Sequence, residues 1–240
     1  MSRVLVKCGG AAASLGVQEL TGQLTAAGHE VCVVHGAGPQ ISEEMRRRGL
    51  EVQFVEGRRV TSDASLDIVR EALMAVNESL CTSLGDRAVG LMGDAIGLKA
   101  RRLPELGLVG NALPSRPAAV LDALAAGSIP VVAPLAEGPL NVNADEAAVA
   151  LAAGLAADRI LFLTDVPGVL VNGKIVDTLV ADDVDQMLAN GVFEGGIVPK
   201  LRAAVNAARL GIAAGIGETA VVVDGPVIAA DTASDEADQP

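Results

Sequence analysis

Aromatic residues are nearly missing from this sequence. Three phenylalanines stand among 240 residues, with no tyrosine and no tryptophan. That scarcity excludes the stacked aromatic platforms on which single-stranded nucleic acid lies, and equally the ring faces that hold carbohydrate. Cysteine is sparse too. Cys8, Cys32 and Cys81 form an odd set without CxxC spacing, so neither a disulfide framework nor a zinc site is expected. Positive charge is outnumbered: 18 Lys+Arg face 30 Asp+Glu, and the net of −12 speaks against a nucleic-acid binder. No apolar run of roughly 18 residues is free of charges and turn formers, so no membrane span is expected. The opening MSRVLVKCGG lacks a long apolar core and a cleavage site. Secretion is therefore not expected, and a reducing, cytoplasmic setting is. Asp231, Asp235, Glu236 and Asp238 give the end an acidic tail, expected to be solvated and frayed.

What is there is apolar mass and a regular alternation. Half the chain is apolar, enough for one large α/β domain or two lobes sharing a core. Short β-rich runs stop at glycine and lead into helical patterns. The strands are expected at 3–8, 30–35, 87–92, 128–133, 159–164 and 219–223. Helices are expected at 14–27, 39–48, from the caps Thr61-Ser62-Asp63 to about Leu84, and at 117–126, 144–156, 181–190 and 197–214. Hairpins are expected within 50–60, within 98–113, and around Asn172-Gly173. This alternation predicts an α/β fold, a three-layer α/β/α sandwich on a mainly parallel central sheet. In such sheets ligands bind beyond the carboxyl ends of the strands.

Six stretches could carry chemistry. Lys7-Cys8-Gly9-Gly10 sets an ammonium beside bare backbone at a strand end, which suits an anion; a solvated lysine in a glycine turn is the other reading. His35-Gly36-Ala37-Gly38-Pro39-Gln40 repeats the arrangement. It is not the dinucleotide fingerprint, because Ile41 stands where the third glycine would be, and no Gly-Lys-Ser/Thr makes it a Walker A loop. His35 fits a turn-stabilising role better than that of a base, and His29 is structural. Glu56-Gly57-Arg58-Arg59-Val60-Thr61 offers a bidentate partner for a carboxylate, or a solvated basic turn. In Asn141-Val142-Asn143-Ala144-Asp145 the polar residues alternate, as on one strand face, and Asp145 begins a helix where the dipole favours its charge; an ordinary cap cluster is the alternative. Thr164-Asp165-Val166-Pro167-Gly168-Val169 turns over the sheet edge. Gly195-Gly196-Ile197-Val198-Pro199-Lys200 places a cation at a helix start, a costly position unless an anion sits between.

In their order these motifs resemble the amino acid kinase superfamily over nearly the whole chain. The series runs Lys7-x-Gly9-Gly10, His35-Gly-x-Gly38, Arg59-Val-Thr61, Leu106-Gly-x-Val-Gly110, Asn141-Val-Asn-Ala-Asp145, Asp165-Val-x-Gly168, Gly196-x-x-x-Lys200. Within the superfamily, Arg-Val-Thr and Asn-Val-Asn-Ala-Asp are similar to the branch that acts on N-acetyl-L-glutamate. The resemblance implies that ATP phosphorylates the side-chain carboxylate of that substrate, the second step of arginine biosynthesis. A carboxylate is already a nucleophile, so the work is alignment and charge neutralisation.

The resemblance assigns catalysis to Lys7, Lys200, Asp145, Gly10 and Gly38. It assigns the acceptor to Ala37, Gly38, Arg59 and Asn141, and the nucleotide to Asp165, Val166, Pro167, Gly168, Val169, Leu170, Val192, Phe193 and Glu194. Mg2+ is expected on the ATP phosphates, with no metal site of the protein's own. It implies an acceptor lobe over 1–157 and a nucleotide lobe over 158–240, small-molecule substrates, and a homodimer without nucleic acid or membrane. Ala37 departs from the three glycines usual after the histidine, and a mild effect on the loop is expected. Lys7 comes early and arginine-inhibited members carry a helix before it, so arginine inhibition is not expected. A relative that phosphorylates carrier-bound aminoadipate or glutamate, or a silent binding protein on this fold, are the alternatives; the latter would lack one of Lys7, Asp145 and Lys200.

Overall fold

The computed structural model describes residues 2–9, 13–164 and 166–223. Gly10, Asp165 and the acidic tail thus lie outside the described residues. In chain order the elements begin with β1 (Arg3–Cys8), α1 (Ala13–Ala26), β2 (Glu30–His35) and α2 (Gly38–Arg47). A small hairpin, β3 (Phe54–Val55) and β4 (Arg58–Arg59), leads to the long α3 (Asp63–Leu84) and β5 (Ala88–Met92). Then come β6 (Ala100–Arg102), β7 (Val109–Ala112), α4 (Ala118–Ala125), β8 (Ile129–Ala133), β9 (Leu135–Ala136), β10 (Leu140–Val142) and α5 (Ala144–Gly154). The last part holds β11 (Arg159–Phe162), β12 (Leu170–Val171), β13 (Lys174–Ile175), β14 (Thr178–Val180), α6 (Ala181–Ala189), α7 (Ile197–Arg209), β15 (Ala213–Ile216) and β16 (Thr219–Val222).

Eight strands form the central sheet in the order β14-β16-β15-β11-β1-β2-β8-β5, parallel except where β15 meets β16. A second sheet, β6-β7-β10-β9, stands beside it. β1 and β2 are buried almost throughout because helices cover both faces. Alternate residues divide between those faces. Leu5, Cys32, Val34, Ile160 and Phe162 pack in one cluster with α4, α5 and α7. Val4, Val6, Val31 and Val33 pack in another with Val17 of α1 and Leu80 of α3.

α5 is alanine-rich, which favours helix and lets it press close to the sheet. Gly154 lets its end press against the loop before α4, since a Cβ there would lie 2.0 Å from the Ser115 carbonyl. α3 starts at a capping box, in which the Ser62 side chain accepts from the Ser65 N–H and the Ser65 hydroxyl accepts from the Ser62 N–H. Asn172 and Gly173 take positive φ of 51° and 76°, the turn expected for that dipeptide.

One expected element differs. The helix from 197 was expected to reach 214, but α7 ends at Arg209 and residues 213–216 form β15. Gly211, with φ 78°, unwinds the end, and the apolar residues beyond it fill a place between β11 and β16. The short strands β9 and β14 were not expected either; two or three residues carry no readable period.

Candidate active site

β1 has β2 on one side and β11 on the other: the chain crosses to β2 first and returns only later to β11 on the far side. Their carboxyl ends open a crevice at this switch point. Lys7 shares the parity of Leu5, so it faces the helices α5 and α7. It is buried, and Gly9 leaves room for its head group: a Cβ at Gly9 would lie 3.1 Å from Lys7 Nζ. The solvated-lysine reading therefore fails.

α5 begins at the same place. The Asn143 Oδ1 accepts from the N–H of Asp145 at 2.8 Å and of Glu146 at 3.2 Å, capping the helix. Asp145 thereby sits in the first turn, where the dipole favours a carboxylate. Its Oδ1 lies 2.8 Å from Lys7 Nζ and 3.7 Å from Lys200 Nζ. The carboxylate is thus the shared counter-charge of the two ammonium groups. Lys200 projects from the first turn of α7. Burial pushes its pKa down, Asp145 opposes this, and Lys7 adds to the lowering. One buried and one half-buried ammonium group share one carboxylate, leaving a local excess of one positive charge that an anion would neutralise.

Arg59 forms a second cationic point. It was expected either to bind a carboxylate or to be solvated, and it is 5 % exposed. Its Nη2 donates to the Gly38 carbonyl at 3.0 Å and to Ser42 Oγ at 2.8 Å, and its guanidinium lies 4.6 Å from the Phe54 ring. Among the described residues it pairs with no Asp or Glu. Burial lowers its pKa to about 10, with Arg46 adding to the effect, so it remains charged at neutral pH. Asn141 on β10 donates to Thr61 Oγ1 at 3.0 Å, and that hydroxyl donates to the Arg59 carbonyl at 2.8 Å. Between Arg59 and Lys7, α2 starts at Gly38 with no capping side chain, which leaves first-turn N–H groups for an anion.

A third side of the site follows β11. The loop 166–169 is tied to the β15–β16 turn: the Val169 N–H donates to Thr219 Oγ1 at 2.8 Å, and the Glu218 N–H to the Pro167 carbonyl at 2.6 Å. Gly168 is forced by this packing, since a Cβ would lie 2.7 Å from Thr219 Oγ1. Val166, Val169, Leu170, Phe193 and Ile197 present an apolar wall.

All three sides enclose one cavity of about 620 Å³, lined by Lys7, Ala37, Gly38, Arg59, Asn141, Asp145 and Lys200 together with that wall. Of the residues expected there, Pro167, Val192 and Glu194 do not line it, and Val192 and Glu194 are exposed. Gly10 and Asp165 lie outside the described residues. The polar residues 141, 143 and 145 do not share one strand face. The strand ends at Val142, so Asn143 turns to cap while Asp145 enters the helix.

His35 pairs with Cys8 across the sheet, one step beyond Lys7, and so points to the opposite face, toward α3. Asn77 Nδ2 donates to its Nε2 at 3.0 Å and to the Val131 carbonyl at 2.8 Å. With Nε2 as acceptor the ring is neutral, and burial lowers its pKa to about 4. It braces the strand end rather than acting as a base. Sequence reasoning missed Phe54, Ser42 and Met45 around Arg59. Gly38, Ser42 and Met45 follow the spacing of one helical face, a signal that was available.

The chain belongs to the amino acid kinase family, whose model matches residues 2–217. Its relatives give a narrower likeness. It is 42% identical over 219 residues to the acetylglutamate kinase of Thermus thermophilus, covering 87% of each chain. It is 41% identical over 207 residues to that of Chloroflexus aurantiacus, covering 80% of this chain and 81% of the relative. Among solved structures, smu.665 from Streptococcus mutans superposes with a TM-score of 0.83 at 27% identity, over 92% of this chain and 98% of that one. Carbamate kinase from Giardia lamblia, at 0.65 and 13% over 93% and 99%, shares the fold.

Proposed function

We propose that this protein is an acetylglutamate kinase, a phosphotransferase that moves the γ-phosphoryl group of ATP to the side-chain carboxylate of N-acetyl-L-glutamate. The product is N-acetyl-L-glutamyl 5-phosphate, the second step of arginine biosynthesis. One observation carries the reading: Lys7 and Lys200 flank Asp145 in a cavity that also holds Arg59, a buried guanidinium without a carboxylate partner among the described residues. Such a site takes two anions, one at each cationic point.

Arg59 and Asn141 hold the acceptor's main-chain carboxylate and acylated nitrogen, with Ala37 and Gly38 along its backbone. The side-chain carboxylate then points toward Lys7. The apolar wall from Val166 to Leu170, with Phe193, holds the nucleotide, whose phosphates meet Lys200 and the start of α7. Lys7, Lys200 and the Gly38 N–H neutralise charge on the transferring group, Gly10 serves in the same way, and Asp145 keeps the two ammonium groups apart and aimed. No base is needed, because the attacking oxygen carries no proton. The donor set here is ammonium and N–H, which fits Mg2+ borne on the nucleotide rather than on the protein. When bound, it neutralises phosphate charge.

The acceptor side is drawn from residues 1–157 and the nucleotide side from 158–240. The enzyme works as a homodimer in the cytoplasm. Support for the dimer is the outer strand β5, whose Val89 is exposed at one edge of the main sheet. Support for the compartment is three free cysteines and the lack, among described residues, of any helix long and apolar enough to cross a membrane. An ATP-dependent hydroxamate assay across acyl acceptors tests the reaction. N-acetylglutamate should turn over fastest, with free glutamate, aspartate and carbamate poor; faster turnover of any of these three would refute the assignment.

A further inference from the structure

The β3–β4 hairpin is joined to the start of α5 by contacts that the proposed chemistry does not use. Glu56 and Gly57 form its tip, with positive φ of 49° and 79°, a turn that directs the Gly57 carbonyl back into the protein. That carbonyl accepts from Asn143 Nδ2 at 2.9 Å, so the residue that caps α5 also holds the hairpin tip. The next residue makes a fork. Arg58 Nη2 lies 2.9 Å from Glu146 Oε1, and Arg58 Nε donates to Glu146 Oε2 at 3.3 Å. Both side chains are largely shielded from solvent, 20% and 27% exposed, so the pair is screened less than a surface contact and is held in a planar geometry. The tip also touches α7: a Cβ on Gly57 would lie 3.3 Å from Pro199, the residue before Lys200.

The two ends of this arrangement are functionally distinct. On the hairpin, Phe54, Arg58 and Arg59 form one wall of the cavity. On the helices, Glu146 and Pro199 are the immediate neighbours of Asp145 and Lys200. We propose that Arg58 and Glu146 are positioning residues which seat the hairpin on α5 and so shape the acceptor side of the cavity around Arg59. Glu146 does not line the cavity, and Arg58, which does, has its guanidinium engaged by Glu146. The proposal rests on the acceptor reading of that side of the cavity, and it adds the element that sets acceptor affinity.

The test is a double-mutant cycle on the full chain with Arg58→Gln, Glu146→Gln and both together. Each single change should raise the Michaelis constant for N-acetylglutamate about tenfold, with that for ATP altered less than about twofold. The double variant should match the singles, because the two residues act as one unit. Arg58→Lys, which keeps the charge but loses the fork, should fall between. Amide hydrogen exchange without substrates reads the seat directly: residues 54–60 should exchange faster in both single variants while α3 stays protected. A merely structural role would lower melting temperature and leave the ratio of the two Michaelis constants unchanged. That result, additive effects in the double variant, or unchanged exchange in the hairpin would each overturn the proposal. If the wild-type chain does not phosphorylate N-acetylglutamate, the functional reading fails by itself, and the exchange experiment still decides whether the pair seats the hairpin.

Discussion

Asp145→Asn is the sharpest perturbation of this site, because it removes one charge and almost no volume. In the wild type the carboxylate lies 2.8 Å from one ammonium and 3.7 Å from another. At about 4 Å, an effective dielectric of roughly 20 makes one such attraction worth about 4 kcal/mol before desolvation is counted. Breaking a buried pair by removing one partner typically costs about 3–5 kcal/mol net. Asparagine would leave Lys7 and Lys200 facing each other without a counter-charge. Lys200 already has a lowered pKa, with Asp145 working against the decrease, so the variant should push it down further and favour the neutral amine. Two consequences follow. Turnover should fall roughly 100- to 1000-fold, the usual cost of losing one preorganised electrostatic element. Residual activity should also decline with rising pH earlier than in the wild type, as Lys200 gives up its proton. ATP affinity should not weaken in proportion, because the carboxylate that repels phosphate has gone. Saturating hydroxamate assays from pH 6 to 9, with calorimetric titration of the nucleotide, would measure both. Near-normal turnover would refute the orienting role of Asp145, and so would a loss accounted for entirely by weaker ATP binding.

Lys7→Ala and Lys200→Ala should each lower turnover by about 100-fold or more while changing Michaelis constants less, since both charges act on the developing transition state; steady-state kinetics with each substrate varied would check this. Ala37→Gly should leave turnover nearly unchanged. Ala37 has φ −140°, which any residue adopts, so its methyl is unstrained and buried; removing it should cost about 0.4–1 kcal/mol in a urea titration, and a gain in stability would show strain instead. His35 should make the fold acid-sensitive. Its folded pKa of about 4 lies below the usual 6.5, so the unfolded chain binds its proton first. The stability it contributes is complete above about pH 6.5 and drains away as pH falls toward 4, with about 2 kcal/mol gone by about pH 5. His35→Gln, which keeps an acceptor for Asn77, should lose that part of the pH dependence, and an unchanged profile would remove His35 as its source.

Periodicity and glycine placement determined most of the scaffold before any coordinates. A strand buried on both faces must be continuously apolar, so RVLVKC and EVCVVH are readable as they stand. Glycine ends helices for a local reason, which is why Gly28 and Gly49, with φ of 81° and 73°, marked true stops. The same rule applied at Gly211 would have ended α7 correctly; the apolar residues beyond it outweighed the signal. The charged residues of the site were also visible as motifs, because each stands beside a turn. Their state was not. Lys7 could be read as solvated and Arg59 read better that way, because local sequence contains no measure of burial. Nor does it contain the parity that sends Lys7 toward α5 and His35 toward α3, for that depends on which helix covers which face. Lys7, Asp145 and Lys200 meet only because β1, α5 and α7 end at the same edge of one sheet. The partners of Arg59 and the Arg58–Glu146 fork join residues up to 88 positions apart. Contacts of that kind are set by packing, the one interaction that a linear pattern cannot carry.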